Sequence, residues 1–303
     1  MRSVAPLTGI YPPVPTFFDA GEALDLATLR RHVRRLGEAG ITGFVALGSN
    51  GEAVHLDDDE RRQVIGAVRE AAGPRAQVLA GAGALTTRAT IGLCRLAAEA
   101  GADVALVLPP HHYRAFMTSE ALRHHYRAVA DASPLPVVLY NMPGNAAGID
   151  LDAETVLALA EHANIVGLKD SSGNVAKLAQ VAGQAPEGFD VLAGSAGFLL
   201  PALAVGASGA IAALANVAPR ACLELLALWE ARRLDEARAL QARLVAPNTA
   251  VTSGYGVAGL KAALKLVAGY GGEPRPPLLP LGEAERGRLR TLLDAAGMLE
   301  HDA

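Results

Sequence analysis

The residue with the clearest chemical potential is Lys169, which lies at the end of an apolar run typical of a buried strand, Ile165-Val166-Gly167-Leu168-Lys169-Asp170. Burial at such a position would strip water from an ammonium group and so favour the neutral amine. A neutral lysine amine is a nucleophile that condenses with a ketone to form an imine. The alternative is a lysine whose stem packs while its charged head reaches solvent. The residues that follow the other apolar runs help to decide between the two.

Two other apolar runs end in residues with matching chemistry. One ends in Gly48-Ser49-Asn50-Gly51-Glu52, a turn whose backbone N–H groups and hydroxyl suit the approach of a carboxylate. Another ends in Tyr140-Asn141-Met142-Pro143 and so carries a phenol. An ordinary Gly/Asn turn and a core tyrosine are the structural alternatives. An amine, a carboxylate-binding turn and a proton-carrying hydroxyl together are what an imine-forming enzyme for 2-oxo acids needs.

The elements that must position these residues alternate along the chain. Apolar runs predict eight strands, at residues 10–17, 41–47, 77–81, 104–108, 136–141, 165–170, 189–194 and 209–212. Amphipathic segments separate them, and Gly40, Gly101 and Gly206 stand between a helix and the next strand. Eight apolar strands separated by helices predict a parallel (β/α)8 TIM barrel of the α/β class. A doubly wound open sheet is the alternative, but no G-x-G-x-x-G opens the first helix.

The strand pattern stops near Pro219, and leucine- and alanine-rich helices follow. We therefore predict a barrel over residues 1–220 and a C-terminal helical region, packed on the barrel, over residues 221–303. Active sites of such barrels lie at the carboxyl ends of the strands. Besides Lys169 and Tyr140, this edge carries Gly194 after the seventh strand and Ile211 on the eighth.

Composition excludes several classes of partner. The 303-residue chain has a net charge of −4 with acidic and basic residues interspersed, so no nucleic-acid or membrane-surface binding is predicted. Residues 191–219 carry no charge, but Pro201, Gly206 and Gly209 interrupt them, which favours buried barrel elements over a membrane span. Cys94 and Cys222 are far apart and predict neither a metal cage nor a disulfide framework. The early prolines argue against a signal peptide, and a cytoplasmic location is expected.

With these residues in view, the sequence resembles the pyruvate-dependent class I aldolases, typified by dihydrodipicolinate synthase and N-acetylneuraminate lyase. The resemblance covers nearly the whole chain and rests on Gly48-Ser49-Asn50-Gly51-Glu52, Tyr140-Asn141-Met142-Pro143 and Gly167-Leu168-Lys169-Asp170, in this order and spacing. Within the family, the GSNGE form of the turn is most similar to the 4-hydroxy-2-oxoglutarate aldolase branch. Supporting segments are residues 192–199, 213–217, 246–252 and 256–261.

The resemblance implies a role for each site residue. Lys169 would form the imine, and Tyr140 would shuttle protons. Ser49 and Asn50 would hold the carboxylate of the 2-oxo acid, with Ser49 also relaying protons. Backbone groups of Gly194 and Ile211 would line the pocket. The resemblance further implies pyruvate as the bound 2-oxo acid, no cofactor or metal, and a homotetramer built from two tight dimers.

This sequence departs from the family pattern at two positions. A family tyrosine that reaches the neighbouring subunit's site matches either His112 or Tyr113, and we favour Tyr113. The substrate-binding arginine of the synthase is replaced by Asn145, which puts lysine-pathway synthesis in doubt because an amide supplies no bidentate cationic clamp. The pairs His111–His112 and His124–His125 suggest a metal site, but no acidic ligand accompanies them, and loop or solvated histidines are favoured.

The function predicted from the sequence is cleavage of a 4-hydroxy-2-oxo acid, such as 4-hydroxy-2-oxoglutarate, to pyruvate and an aldehyde such as glyoxylate. Rivals that use the same imine are dehydration of a 2-oxo-3-deoxy sugar acid and condensation in the synthase direction. A phosphosugar barrel is weakened by the absence of Lys and Arg from residues 191–219. An inactive sensor or scaffold is disfavoured by the presence of Lys169, Tyr140 and Ser49.

Overall fold

Eight parallel strands form a barrel in the computed structural model, which describes residues 5–299. The predicted (β/α)8 TIM barrel with C-terminal helices is confirmed. Hydrogen bonding connects the strands in the order β1-β8-β7-β6-β5-β4-β3-β2. The strands are β1 Gly9–Tyr11, β2 Gly43–Ala46, β3 Gln77–Gly81, β4 Val104–Val107, β5 Val137–Asn141, β6 Ile165–Asp170, β7 Asp190–Ala193 and β8 Gly209–Ile211.

Eleven helices of the α type lie in the described residues. Those that alternate with or directly follow the strands are α1 Leu26–Glu38, α2 Asp58–Ala72, α3 Thr87–Glu99, α4 Ser119–Ala132, α5 Ala153–Ala160, α6 Val175–Gln184, α7 Leu199–Ala204 and α8 Pro219–Glu230. Three more follow, α9 Leu234–Thr249, α10 Gly256–Ala268 and α11 Glu283–Ala295. The predicted boundary at residue 220 falls in the first turn of α8. None of the helices in residues 5–299 has the length and apolar character needed to cross a membrane.

The first strand is shorter than predicted, and its prolines explain the difference. Residues 10–17 include Pro12, Pro13 and Pro15, which have no N–H to donate to a neighbouring strand. Regular pairing therefore ends at Tyr11. The barrel still closes beyond that point, because the backbone N–H of Val14 donates to the carbonyl of Val45 at 3.0 Å.

Alternation along the strands decides which side chains enter the barrel. In β5, Val138 and Tyr140 join the cluster that fills the barrel interior, whereas Leu139 faces the helices. In β6, Lys169 stands opposite Tyr140 in register, while its neighbour Leu168 packs in the outer layer. Because successive side chains of a strand point to opposite faces, Tyr140 and Lys169 both project into the barrel.

Short 3₁₀ turns follow several strands at the carboxyl edge of the barrel. They include Ser49–Gly51 after β2, Pro143–Asn145 after β5 and Ala196–Phe198 after β7. Helix α10 and the segment around Arg275 reach the first of these turns. The C-terminal helices share one apolar core with the barrel helices, through residues such as Leu264 and Leu289. The C-terminal region thus packs near the edge where the candidate site lies.

Candidate active site

Lys169 lies inside the barrel, near the carboxyl end of β6. It pairs with Tyr140 of β5 on one side and with Leu192 of β7 on the other. The side chain is only 4% exposed, and its Nζ lies 3.9 Å from the centroid of the Tyr140 ring. The strand-end position and burial that the sequence predicted for this lysine are both present.

The four lysines of the chain differ in what their amines contact. Lys177 is held between two aspartates, and Lys261 is paired with a glutamate. Lys265 is exposed on α10. Among residues 5–299, no carboxylate and no other hydrogen-bond acceptor contacts Nζ of Lys169. Lys169 is therefore the buried lysine whose nitrogen is free to react with a carbonyl group.

A chain of hydrogen bonds connects three side chains beside Lys169. The hydroxyls of Tyr140 and Ser49 lie 3.2 Å apart. Asn145 donates from Nδ2 to Oγ of Ser49 at 2.8 Å. Because Asn145 occupies only one lone pair of this oxygen, either of the two hydroxyls can donate to the other. The three residues form one hydrogen-bonded chain, in which the two hydroxyls can pass a proton and Asn145 orients Ser49.

The turn that carries Ser49 is bounded by backbone in left-handed conformations. Leu47 has φ of 56° and Glu52 has φ of 51°, and neither residue is glycine. Such conformations cost on the order of 1–3 kcal/mol each and persist where the surrounding structure holds them. Gly81 allows the close approach of this segment, since a Cβ at Gly81 would lie 1.9 Å from the carbonyl oxygen of Leu47. The turn is therefore held in a strained form next to Lys169.

The remaining predicted site residues are placed as follows. Ile211 is fully buried in the interior cluster that contains Tyr140. The N–H of Gly194 donates to the carbonyl of Asp170 at 2.6 Å, and a Cβ there would lie 2.0 Å from Oγ of Ser171. Asn50 is half-buried beside Ser49. Tyr113 is 68% exposed, and its ring contacts that of His112, so within this single chain it does not join the others.

A cavity of about 290 Å³ opens beside this cluster. Ser49, Tyr140 and Asn145 line it, and so do His111 and Arg61. A volume near 300 Å³ is at the small end of ligand pockets. Arg61 was not predicted as a site residue, and its guanidinium donates to the carbonyls of Ala53 and Leu56. Its position in the first turns of α2, soon after the GSNGE turn, is the only sequence feature that points to it.

A second set of residues, which the sequence analysis did not predict, lies next to Lys169 at the ends of β5 and β6. Asp170 is fully buried, and its Oδ2 accepts hydrogen bonds from Nζ of Lys177 and Nδ2 of Asn141, each at 2.8 Å. Asp150 accepts from the same two donors, at 2.5 and 2.6 Å. This polar cluster joins the ends of β5 and β6, the two strands that present Tyr140 and Lys169. The charged residue inside an apolar run, Asp170, is the sequence feature that could have indicated it.

The histidine pairs His111–His112 and His124–His125 do not form a metal site in the described residues. Nδ1 of His111 contacts the carbonyl of Pro109 at 3.1 Å, and His112 and His124 are exposed. Burial lowers the pKa of His125 to about 4, and its Nδ1 contacts the Thr87 hydroxyl. Among the described residues, no three His, Cys, Asp or Glu side chains are grouped as a metal site would require.

Comparisons with known proteins identify the family of the chain. The model of the dihydrodipicolinate synthetase family matches residues 6–296. The chain is 42% identical, over 96% of both sequences, to a protein of Emericella nidulans named probable 4-hydroxy-2-oxoglutarate aldolase, mitochondrial. It is 44% identical, over 91% of both, to an L-threo-3-deoxy-hexylosonate aldolase of Hypocrea jecorina.

Solved structures share the fold over almost the whole chain. Dihydrodipicolinate synthase DapA-2 of Bacillus anthracis superposes with a TM-score of 0.91 at 31% identity, covering 95% of this chain and 97% of the other. YagE of Escherichia coli K12, solved in complex with pyruvate, superposes with a TM-score of 0.90 at 32% identity, covering 97% of this chain and 100% of the other. The chain belongs to the dihydrodipicolinate synthetase family.

Proposed function

We propose that the protein is a class I aldolase that forms an imine between Lys169 and a 2-oxo acid. The observation that carries the proposal is the state of Lys169, a buried lysine with no acid partner among residues 5–299, whose Nζ lies 3.9 Å from the centre of the Tyr140 ring. Membership of the dihydrodipicolinate synthetase family, with relatives named as aldolases, supports the same reaction class. Pyruvate bound to the related YagE supports pyruvate as the 2-oxo acid.

The proposed reaction is a reversible retro-aldol cleavage. Nζ of Lys169 attacks the C2 ketone of a 4-hydroxy-2-oxo acid, and loss of water leaves a protonated imine that acts as the electron sink. Tyr140, with Ser49, removes the proton of the C4 hydroxyl. The C3–C4 bond then breaks and releases an aldehyde. The enamine that remains is protonated at C3, and hydrolysis frees pyruvate and Lys169.

The carboxylate of the 2-oxo acid is assigned to the Ser49–Gly51 turn. Ser49 and Asn50 supply polar side chains at its start, and we propose that backbone groups of Gly194 and Ile211 contact the bound 2-oxo acid, although neither residue lines the cavity of about 290 Å³. Asn145 supports this arrangement by donating to Ser49 at 2.8 Å. Ser49 and Tyr140 then carry out proton transfer, and Asn145 orients Ser49 for carboxylate binding. The reaction as written requires no cofactor.

The specific substrate that we propose is 4-hydroxy-2-oxoglutarate, which yields pyruvate and glyoxylate. The Emericella nidulans relative carries this activity in its name. Arg61 in the cavity wall is a cation that would attract the second carboxylate of this substrate. Asn145 supplies no fixed charge for the amino-aldehyde that a synthase condenses with pyruvate, which disfavours the synthase alternative.

A 2-oxo-3-deoxy sugar acid is a second candidate substrate. The Hypocrea jecorina relative, an L-threo-3-deoxy-hexylosonate aldolase by name, is 44% identical to this chain. The same imine would support cleavage of such a substrate or its dehydration. The two substrate classes differ beyond C4, where one carries a carboxylate and the other hydroxyl groups.

Borohydride trapping tests the proposal. Incubation with pyruvate and borohydride should add one reduced pyruvyl group to Lys169 and inactivate the enzyme, as peptide mass analysis would show. Lys265→Arg provides a matched control, because Lys265 is exposed and contacts neither Lys169 nor the cavity. Labelling of another lysine, or none at saturating pyruvate, would refute the imine mechanism. Analysis of the aldehyde released from each candidate substrate then identifies the preferred one.

We further propose that the chain forms a homotetramer of two tight dimers. Support comes from Tyr113 and Phe116, two aromatic side chains that are largely exposed near the carboxyl edge of the barrel. In a dimer, Tyr113 would enter the neighbouring copy's site. Light scattering should give the mass of four chains. Tyr113→Ala should lower turnover by a larger factor than it lowers the rate of borohydride trapping at Lys169.

A cytoplasmic location remains our proposal. Cys94 and Cys222 are both free and buried, as expected in a reducing compartment. The Emericella nidulans relative is named as mitochondrial, so fractionation of cells that produce this protein is the direct test.

A further inference from the structure

The turn that carries Ser49 and Asn50 is followed directly by a buried ion pair. Glu52 is 2% exposed, and its Oε1 accepts a hydrogen bond from Nζ of Lys261 at 2.6 Å. Lys261 lies on α10 and is fully buried, although 209 residues separate it from Glu52 along the chain. A charged side chain of the C-terminal region therefore contacts the residue next to the carboxylate-binding turn.

Further residues surround this pair, among them His55, whose Nδ1 lies 3.3 Å from Oε2 of Glu52. The other carboxylate oxygen of Glu52 accepts the backbone N–H of Arg275 at 2.8 Å. Nζ of Lys261 also donates to the carbonyl of Glu273 at 2.9 Å and lies 4.5 Å from the centre of the Phe18 ring. A buried ion pair is tolerated when its remaining polar atoms are satisfied, and this one meets the condition.

The turn requires an anchor of this kind because its backbone is strained. Leu47 before the turn and Glu52 after it both have left-handed φ, and such conformations persist only where the surroundings impose them. On the opposite side, the hydroxyl of Thr16 donates to the carbonyl of Gly51 at 2.6 Å. The turn is thus held by Thr16, in the segment that follows β1, and from the C-terminal region through Glu52.

We propose that Glu52 and Lys261 are positioning residues for the substrate carboxylate. They hold the Ser49–Gly51 turn in the form that binds the carboxylate and do not touch the substrate themselves. This inference rests on the proposed function, in which Ser49 and Asn50 bind that carboxylate. Lys261 does not compete with Lys169 as the imine-forming amine, since its nitrogen is bound to Glu52 and Glu273.

The test compares two ketones in the borohydride trapping reaction with the full-length protein. Pyruvate carries a carboxylate, whereas acetone has a similar ketone and no carboxylate. The rate of acetone trapping therefore measures the reactivity of Lys169 in an intact barrel. The ratio of the pyruvate rate to the acetone rate measures how well the turn binds a carboxylate. A general loss of structure would lower both rates together, so the ratio separates positioning from folding.

The variants are Glu52→Gln and the double variant Glu52→Gln/Lys261→Met. Glu52→Gln removes the acid partner of Lys261, whose pKa is lowered by burial and raised by Glu52. The double variant removes both charges of the pair, so neither is left buried without its partner, which favours a folded protein. Lys265→Met is the control, because Lys265 is exposed on the same helix.

We expect both variants to trap acetone within twofold of the wild-type rate. The pyruvate concentration for half-maximal trapping should rise at least tenfold in both, and the control should match the wild type. Folded variants that keep the wild-type pyruvate-to-acetone ratio would overturn the positioning role. If the wild type itself failed to trap pyruvate at Lys169, the proposed function would be wrong. That result differs from failure of the positioning role, in which the wild type traps pyruvate and the variants keep its pyruvate-to-acetone ratio.

Discussion

Replacing Tyr140 by phenylalanine separates proton transfer from imine formation. The substitution removes only the hydroxyl, which lies 3.2 Å from Oγ of Ser49. It keeps the ring whose centre lies 3.9 Å from Nζ of Lys169. The surroundings of the amine therefore change little, while the proton path from Ser49 loses its terminal group.

The expected effects on rate and stability differ in size. Loss of a general acid–base group lowers turnover by roughly 10²–10⁴-fold, or about 3–5 kcal/mol in the barrier. Loss of one neutral hydrogen bond lowers the free energy of unfolding by only about 1 kcal/mol. Tyr140→Phe should therefore fold normally, trap pyruvate at Lys169 with a half-saturating concentration close to that of the wild type, and cleave substrate very slowly.

Tyr126→Phe is the matched control for this experiment. Tyr126 is a fully buried tyrosine of α4 whose hydroxyl donates to the carbonyl of Val107 at 3.2 Å, away from the cavity. It should lose a similar amount of stability and keep wild-type turnover. Turnover would be followed by coupling pyruvate release to lactate dehydrogenase. A Tyr140→Phe enzyme with turnover within threefold of the wild type would remove Tyr140 from the proton path.

Three further results are expected. Lys177→Met leaves a fully buried carboxylate unpaired, so chemical denaturation should show a loss of about 3–5 kcal/mol, and an unchanged midpoint would contradict the importance of that pair. Burial lowers the pKa of His32 and of His125 to about 4, so as pH falls from 6.5 to 4 the unfolded chain binds protons that the folded chain does not. The free energy of unfolding should then decrease by about 3 kcal/mol per histidine at pH 4, and neither histidine should change it above pH 6.5. Urea titrations would argue against this if the His32→Gln variant kept the full pH dependence of the wild type. Finally, kcat/KM for cleavage of 4-hydroxy-2-oxoglutarate should exceed kcat/KM for condensation of pyruvate with aspartate semialdehyde, because Asn145 carries no charge. A tenfold preference for condensation, about 1.4 kcal/mol, would establish the synthase instead.

The fold was predictable because its determinants are local. Buried parallel strands are apolar along their length and barrel helices are amphipathic, so both periodicities can be seen in the sequence. Strand ends were less accurate where backbone chemistry intervened, as at Pro12 and Pro13, which end the regular pairing of β1 after Tyr11. The length of a strand depends on its neighbours as well as on its own residues.

The meeting of Lys169, Tyr140 and Ser49 was also predictable. Each follows or ends an apolar run, and the carboxyl ends of parallel strands lie at one edge of a barrel whatever the details of packing. The sequence predicted only part of the role of Asn145. Its sequence position indicated a missing arginine, whereas its hydrogen bond to Ser49 depends on the path of the loop after β5.

The sequence by itself determined the barrel, the edge that carries the candidate site and the lysine proposed to react there. Only the tertiary structure decided how the other buried lysines are used. Lys261 meets Glu52 across 209 residues, and Lys177 meets Asp170 through the packing of α6 on the barrel. Such pairs follow no periodic pattern, because they depend on where distant elements come together. By engaging those two amines with acids, the folded chain leaves Lys169 as the buried amine free to react.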